Sequence, residues 1–325
     1  GIFRSSGSGV PRSFRASESR YLRLPGDHKH LPFGDDTVRD LNYQLKQLCR
    51  RNRDGSYATQ AKRMHHLMLI ANQLYASGFR GMKPRSLKPK HIEALVKDWL
   101  RQELAVGTIK NRMAVLRWWA EKVEKQNVVA RSNDYYGIPD RQFVTDGSKA
   151  KAVSAQDLEK VRDPYVRMSL ELQQAFGLRR EEAIKFIPIF ADRGNCLTLK
   201  SSWTKGGKER DVPVRTDEQR EVLKRAHQLA GNGSLIPSER NYVQQLRLYE
   251  RQTASAGLSK LHGLRHAYAQ ARYKELTGWK APAAGGPVSK ALSPGQKVMD
   301  RQARRTISQE LGHIREQIVS VYLGK

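Results

Sequence analysis

The sequence predicts a mainly α protein with a small antiparallel β-sheet, divided into two domains, and three features of the chain carry that prediction. Apolar residues recur at three- and four-residue steps through long stretches on either side of residue 140. Between residues 186 and 214 the spacing changes to alternation punctuated by turn residues. Between residues 127 and 150 no period is sustained at all. A chain of 325 residues is long enough to bury two moderate cores.

Residues 1–34 carry Ser, Gly, Pro and Arg without an apolar period, as expected of a flexible basic arm that orders only on a partner. Within it Gly1 to Gly9, lacking an initiating Met, reads as an expression remnant or a loose extension. Residues 35–128 form the first domain, a helical bundle with helices near 37–52, 57–77, 88–103 and 107–125. Met64, Leu67, Met68, Ala71, Leu74 and Tyr75 make one apolar stripe, and Ile109, Met113, Leu116, Ala120 and Val123 make another. Trp118 and Trp119 continue that second stripe and are expected in the core. Residues 129–150, with Asn133, Gly137, Pro139, Asp146 and Gly147, read as a linker. The second domain spans 151–325. Ser154 with Asp157 opens a helix, Asp163-Pro164 opens the next, and Gly177 ends it, leaving Arg179 just past a helix end. Phe186–Phe190, Cys196–Trp203 and Lys208–Val214 are expected to form three antiparallel strands. Beyond Thr216 the chain is helical, apart from a Gly/Pro-rich interruption near 277–296.

Lys and Arg outnumber Asp and Glu by 59 to 32, a formal charge of +27, which concentrates polyanions around the protein and points to nucleic acid. Between Asp54 and Glu93 there is no acidic residue, whereas a merely solvated charged face mixes signs. Lys62, Arg63, Arg80, Lys83, Arg85, Lys88 and Lys90 fall in that stretch and, with Lys110 and Arg112, are candidate DNA contacts. Only Cys49 and Cys196 are present, so no disulfide framework or Cys-rich zinc site is legible. The pairs His28/His30 and His65/His66 lack a second ligand cluster, and no metal is expected. Apolar runs are too short for a bilayer span and no secretory leader is visible, so a cytoplasmic, nucleoid-associated protein is expected.

In the second domain the chain reads Gly177-Leu178-Arg179-Arg180-Glu181-Glu182, then Thr204-Lys205-Gly206-Gly207-Lys208-Glu209-Arg210, then His262-Gly263-Leu264-Arg265-His266, then Leu311-Gly312-His313, then Val321-Tyr322. This order resembles the tyrosine recombinase family of phage-type integrases, and the basic helical first domain is similar to that family's core-binding domain. The resemblance implies that Arg179 and Arg265 are the two catalytic arginines and Lys205 the lysine of the sheet turn. It also implies that His262 and His313 are the active-site histidines, Tyr322 the nucleophile and Glu182 the acidic support. Lys208 is the other candidate on the same turn, and His266 either orients the site or packs behind it. Taken alone, Tyr322 also reads as part of an apolar face with Ile314, Ile318 and Val321.

The residue types suit that chemistry. Two guanidiniums offer planar donor forks to a phosphodiester and keep their charge near neutrality. A phenol is mostly protonated at neutral pH, so the nucleophile must lose a proton during attack, with neighbouring cations favouring its anion. The 5′ oxygen that departs needs a proton, which a lysine on a Gly-flanked turn can donate. No cofactor, ATP or metal is expected. The implied partner is double-stranded DNA with inverted recognition sequences, bound by a homodimer or homotetramer. The alternatives are a type IB topoisomerase-like enzyme, or a non-catalytic DNA-binding protein of the same fold. The long spacer from Arg265 to His313 implies an inserted loop. Only three residues follow Tyr322, where many relatives continue into a helix that docks on a neighbouring subunit, so a shortened chain or a different assembly is expected.

Overall fold

The computed structural model describes residues 40–144, 147–313 and 315–325; the expected N-terminal arm, with His28 and His30, lies outside the described residues, as does Ile314. The chain divides into two compact units between Pro139 and Asp140. In the first, α1 (Asp40–Arg51), α2 (Tyr57–Ala76), α3 (Pro89–Arg101) and α4 (Val106–Lys122) pack as a bundle. Ser56 caps α2 by accepting from the Thr59 amide, and Pro89 occupies the first position of α3, where its missing N–H costs nothing. The core gathers Leu45, Leu67, Leu74, Trp99, Met113 and Trp119, all fully buried. Val129 and Ile138, in the stretch expected as linker, also belong to this core.

Two aromatic residues depart from expectation. Consecutive residues on a helix point about 100° apart, so Trp118 and Trp119 cannot share the core face. Trp119 is buried and donates to the Pro84 carbonyl at 3.0 Å, whereas Trp118 is half-buried, donates to Asp54 at 2.7 Å and stacks under Arg63 at 4.3 Å. Tyr75, in the last turn of α2, is exposed beside Arg80.

The second unit runs α5 (Ala155–Glu159), α6 (Pro164–Phe176), α7 (Arg180–Ile184), α8 (Pro188–Ala191), β1 (Cys196–Leu199), β2 (Arg210–Pro213), α9 (Asp217–Ala230), α10 (Tyr242–Ser255), α11 (Gly263–Thr277), α12 (Pro294–Glu310) and α13 (Ser320–Leu323). Its sheet has two antiparallel strands, with Leu197 opposite Val212 and Leu199 opposite Arg210. The third strand expected at Phe186–Phe190 does not form. Pro188 has no N–H for a ladder and its fixed φ starts a helix instead, so this stretch becomes the short α8. The 277–296 interruption holds two single 3₁₀ turns, at Pro282–Ala284 and Ser289–Ala291, before Ser293 caps α12. Among the described residues no helix is long and apolar enough to cross a membrane.

Trp119 fills the bundle core and its indole N–H is satisfied there. Trp119→Ala is expected to lower unfolding free energy by about 3–5 kcal/mol, read as a lower urea midpoint at unchanged m-value.

Candidate active site

Five short sequence stretches converge in the second unit. α6 stops at Gly177, whose left-handed backbone (φ 62°) turns the chain so that Arg179 becomes the N-cap of α7. Glu182 reaches back to accept from the Arg179 amide at 2.7 Å and from its guanidinium at 2.9 Å. An acidic side chain in the first turn of a helix is favoured by the exposed amides there. His262, Arg265 and His266 sit at the start of α11, three and four residues apart, and therefore on one face. Tyr322 is on α13, packed against that face: its ring centroid is 4.5 Å from His266, 5.4 Å from His313 and 5.8 Å from His262. Its hydroxyl lies 3.3 Å from His262 Nε2 and 3.4 Å from Arg265 Nε.

The arginines are held mostly by backbone oxygen. Arg265, 1% exposed, donates to the Gly177 carbonyl at 2.6 Å and to the Leu311 carbonyl. Arg179 donates to that same Leu311 carbonyl at 3.3 Å. Gly177 and Leu311 are the C-caps of α6 and α12, and carbonyls at a helix end have no partner within the helix and carry the negative end of its dipole. A third guanidinium, Arg210 at the start of β2, clasps Glu182 with both Nη atoms at 2.6 and 2.8 Å and donates from Nε to the Glu310 carbonyl at 2.9 Å. Sequence reasoning passed over Arg210. Its signal was the strand alternation, which turns residues 210 and 212 inward together and so buries a charge that must be paired.

Two guanidiniums thus bond one carboxylate, and the charge of a third, Arg265, acts on it. Burial opposes ionisation of Glu182, but the Arg210 hydrogen bonds and the charges of Arg210, Arg265 and Arg179 bring its pKa down to about 2. Burial and the neighbouring Arg179 bring Arg265 down to about 10, still cationic at neutral pH. Desolvation followed by the arginine charges brings His313 down to about 3, and desolvation followed by His262 brings His266 down to about 4. Desolvation, then Arg265, Arg179 and Lys205, also lowers His262, which lies at the exposed rim. His313 Nε2 is buried without a hydrogen-bond partner among the described residues.

Arg179, Glu182, His262, Arg265, His266, His313 and Tyr322 are therefore brought together, whereas Lys205 is exposed on the β1–β2 turn, near enough for its charge to act on His262. Of the nine basic candidates in the first unit, Lys62, Arg80, Lys83, Arg85, Lys88 and Lys90 are exposed. Arg63, Lys110 and Arg112 are half-buried, with Arg63 stacked on Trp118 and Arg112 over the Trp99 ring at 5.3 Å.

Comparison with known proteins accords with this architecture. Residues 38–129 match the family model for the N-terminal region of phage integrases, and residues 140–271 match the model for integrases. Together they span the first unit and the second as far as α11, and the chain belongs to the phage integrase, or tyrosine recombinase, family. Neither match reaches His313 or Tyr322. No curated protein sequence matches significantly. Among solved structures, a lambda integrase dimer bound to a COC′ core site is similar over 86% of this chain and 76% of its own, at 15% identity and a TM-score of 0.56. The Tn1549 transposon integrase in complex with circular intermediate DNA covers 89% of this chain and 96% of its own, at 13% identity and a TM-score of 0.53. The XerH recombinase bound to a palindromic difH substrate covers 87% and 81%, at 16% identity and 0.52. At these identities the likeness is one of fold.

The carboxylate and the histidines set an acid limit. Histidines that stay neutral when folded but protonate in the unfolded chain below about 6.5 favour unfolding as pH falls from there towards 3. Glu182 adds about 3 kcal/mol of stability that is fully present above pH 4.5 and is lost as pH falls through about 2. Urea midpoints measured from pH 7 to 3 should fall throughout, and Glu182→Gln should flatten the part below pH 4.5.

Proposed function

We propose that the protein is a site-specific DNA recombinase in which the Tyr322 hydroxyl attacks a phosphodiester, leaving a 3′-phosphotyrosyl link and a free 5′ hydroxyl. The observation that carries this reading is the place of the Tyr322 hydroxyl, within 3.4 Å of both a histidine nitrogen and a guanidinium nitrogen, beside a second guanidinium tethered to the same carbonyl. Neutral His262 accepts the phenolic proton as the O–P bond forms. Arg179 and Arg265 bind the non-bridging oxygens, where negative charge grows in the transition state. The unspent Nε2 of His313 supports a further hydrogen bond to the phosphate. His266 keeps the phenol ring in place from below. Lys205 passes a proton to the 5′ oxygen as its bond to phosphorus breaks, which the Gly206-Gly207 turn allows by leaving the lysine room to move. The bond energy stays in the phosphotyrosyl link, so attack by the 5′ hydroxyl of a partner strand reseals the backbone without a nucleotide cofactor.

The exposed lysines and arginines of the first unit supply phosphate contacts, and subunits assemble in pairs or fours on inverted half-sites. The lambda integrase dimer bound to a core site and XerH bound to a palindromic substrate support that assembly. Integration or excision of a mobile element is the biology that follows, with the protein acting on chromosomal DNA.

On a nicked suicide duplex that traps the cleaved state, the unmutated protein is expected to give a covalent band on a denaturing gel, and Tyr322→Phe none; a persisting band in Tyr322→Phe would remove the assignment. Arg179→Ala and Arg265→Ala should each slow single-turnover cleavage by about 10²–10³-fold. Strand exchange between two duplexes, against simple relaxation of a supercoiled plasmid, separates recombination from topoisomerase action. Lys88→Ala with Lys90→Ala should reduce the slope of log K against log salt by about 2 if both meet phosphates.

A further inference from the structure

Arg210 has no place in the chemistry above, although it is among the most completely engaged charges in the protein. Its side chain is 6% exposed, and its three nitrogens bind Glu182 and the Glu310 carbonyl. It is also the first residue of β2 and the point at which the turn carrying Lys205 returns to the sheet. The other side of that turn is anchored by Trp203, which is buried against Phe186 and Phe190 at centroid distances of 6.1 and 5.7 Å. Between the two anchors, residues 204–209 are largely exposed; they carry two glycines with positive φ, and Thr204 Oγ1 bonds to the Lys208 carbonyl at 2.6 Å. One anchor is apolar and tied to the core; the other is ionic and tied to the carboxylate that also holds Arg179.

Resting on the role proposed for Lys205, we infer that Arg210 is a positioning residue: its clasp on Glu182 sets the lysine turn in register with the phosphate-binding arginines. Two consequences of the geometry support this. Each Glu182 oxygen already serves Arg179, through the side chain or the amide, and Arg210 occupies the other side of the same carboxylate, so moving β2 moves the group that orients Arg179. Arg210 also neutralises Glu182, which leaves the charge of Arg179 and Arg265 available to a phosphodiester. The fit is close: a Cβ at Gly312 would stand 2.6 Å from Arg210 Cδ, so the turn leading to His313 is built around this side chain.

A lysine at 210 keeps the charge and gives up the planar fork, so it retains a cation opposite Glu182 but releases the register. The test compares Arg210→Lys and Lys205→Ala on two suicide substrates, one with the natural 5′ oxygen and one with sulfur at that bridging position. A thiolate is a far weaker base than an alkoxide and leaves without being protonated. Both variants are expected to cleave the oxygen substrate about 10²-fold or more slowly and to recover to near the unmutated rate on sulfur. A merely structural defect slows both substrates alike. If Lys205→Ala recovers on sulfur and Arg210→Lys does not, the role of Lys205 stands and the positioning role of Arg210 is overturned. If Lys205→Ala itself fails to recover, the general-acid role falls and takes this inference with it. Should Arg210→Lys not fold, Glu182→Gln with Arg210→Gln removes both buried charges together and breaks the same clasp; recovery of this double variant on sulfur supports the inference, and equal slowness on both substrates overturns it.

Discussion

Like charges do not gather in a protein interior unless something else holds them, and the site of this protein depends on what holds three arginines together. Arg179 and Arg210 bond one carboxylate, Glu182, on which Arg265 acts through its charge, and the three share the final carbonyls of α12 at Glu310 and Leu311. The carboxylate offsets one charge, and the carbonyls offer dipoles without offsetting any. The cluster therefore keeps a net positive charge inside a low-dielectric setting, where an anion is worth far more than in water. Burial first, and then the same repulsion, lower the pKa values of Arg265 and His313. An anionic phosphodiester entering the cluster would relieve it, and the transition state, more charged on the same oxygens, would relieve it further.

The fold supplies this arrangement with helix ends. α7 begins at Arg179 and favours Glu182 in its first turn; α11 begins beside His262 and projects Arg265 inward; α12 ends at Glu310 and presents its orphan carbonyls. Each side chain thus comes from the terminus of a rigid element instead of from a long loop. The cost is close packing at the junctions. Gly177 and Gly312 both hold left-handed backbone, and a Cβ on either would stand 2.6 Å from a neighbouring side chain, Tyr268 in one case and Arg210 in the other. Where helix ends meet this tightly, a methyl group is enough to move a guanidinium.

Much of this was legible in the order of residues, because Arg179, Glu182, His262, Arg265, His313 and Tyr322 follow one another in the order that carries the resemblance to the recombinase family. The helical periods also marked the bundle and the α6–α7 break at Gly177. What escaped lay in features that residue type does not encode. The Leu311 carbonyl acts through the direction of the chain, and any residue there would offer the same oxygen. Arg210 was hidden among neighbouring charges on a turn, and only the strand alternation told it apart from Lys208 and Glu209. Pro188 should have argued against a third strand, since the missing donor outweighs the apolar run around it. The paired tryptophans likewise could not both lie on one helical face, as Trp118 and Trp119 now illustrate.

Tyr322, the proposed nucleophile, is held in a way that separates its place from its reactivity. Its own hydroxyl makes only long contacts, at 3.3 and 3.4 Å. The backbone around it is fastened firmly: Gln270 donates to the Tyr322 carbonyl at 2.9 Å, Arg304 donates to the Gly324 carbonyl at 2.9 Å, and Gly324 lies against Pro282 and Ala283. The 277–296 interruption, without an evident purpose in the sequence, is thereby a buttress for α13. Strong bonds to the hydroxyl would fix its proton and stabilise the resting phenol against attack. Strong bonds to the main chain instead leave the oxygen free to exchange its proton while its position beside Arg265 is set by the packing of α11 and α13.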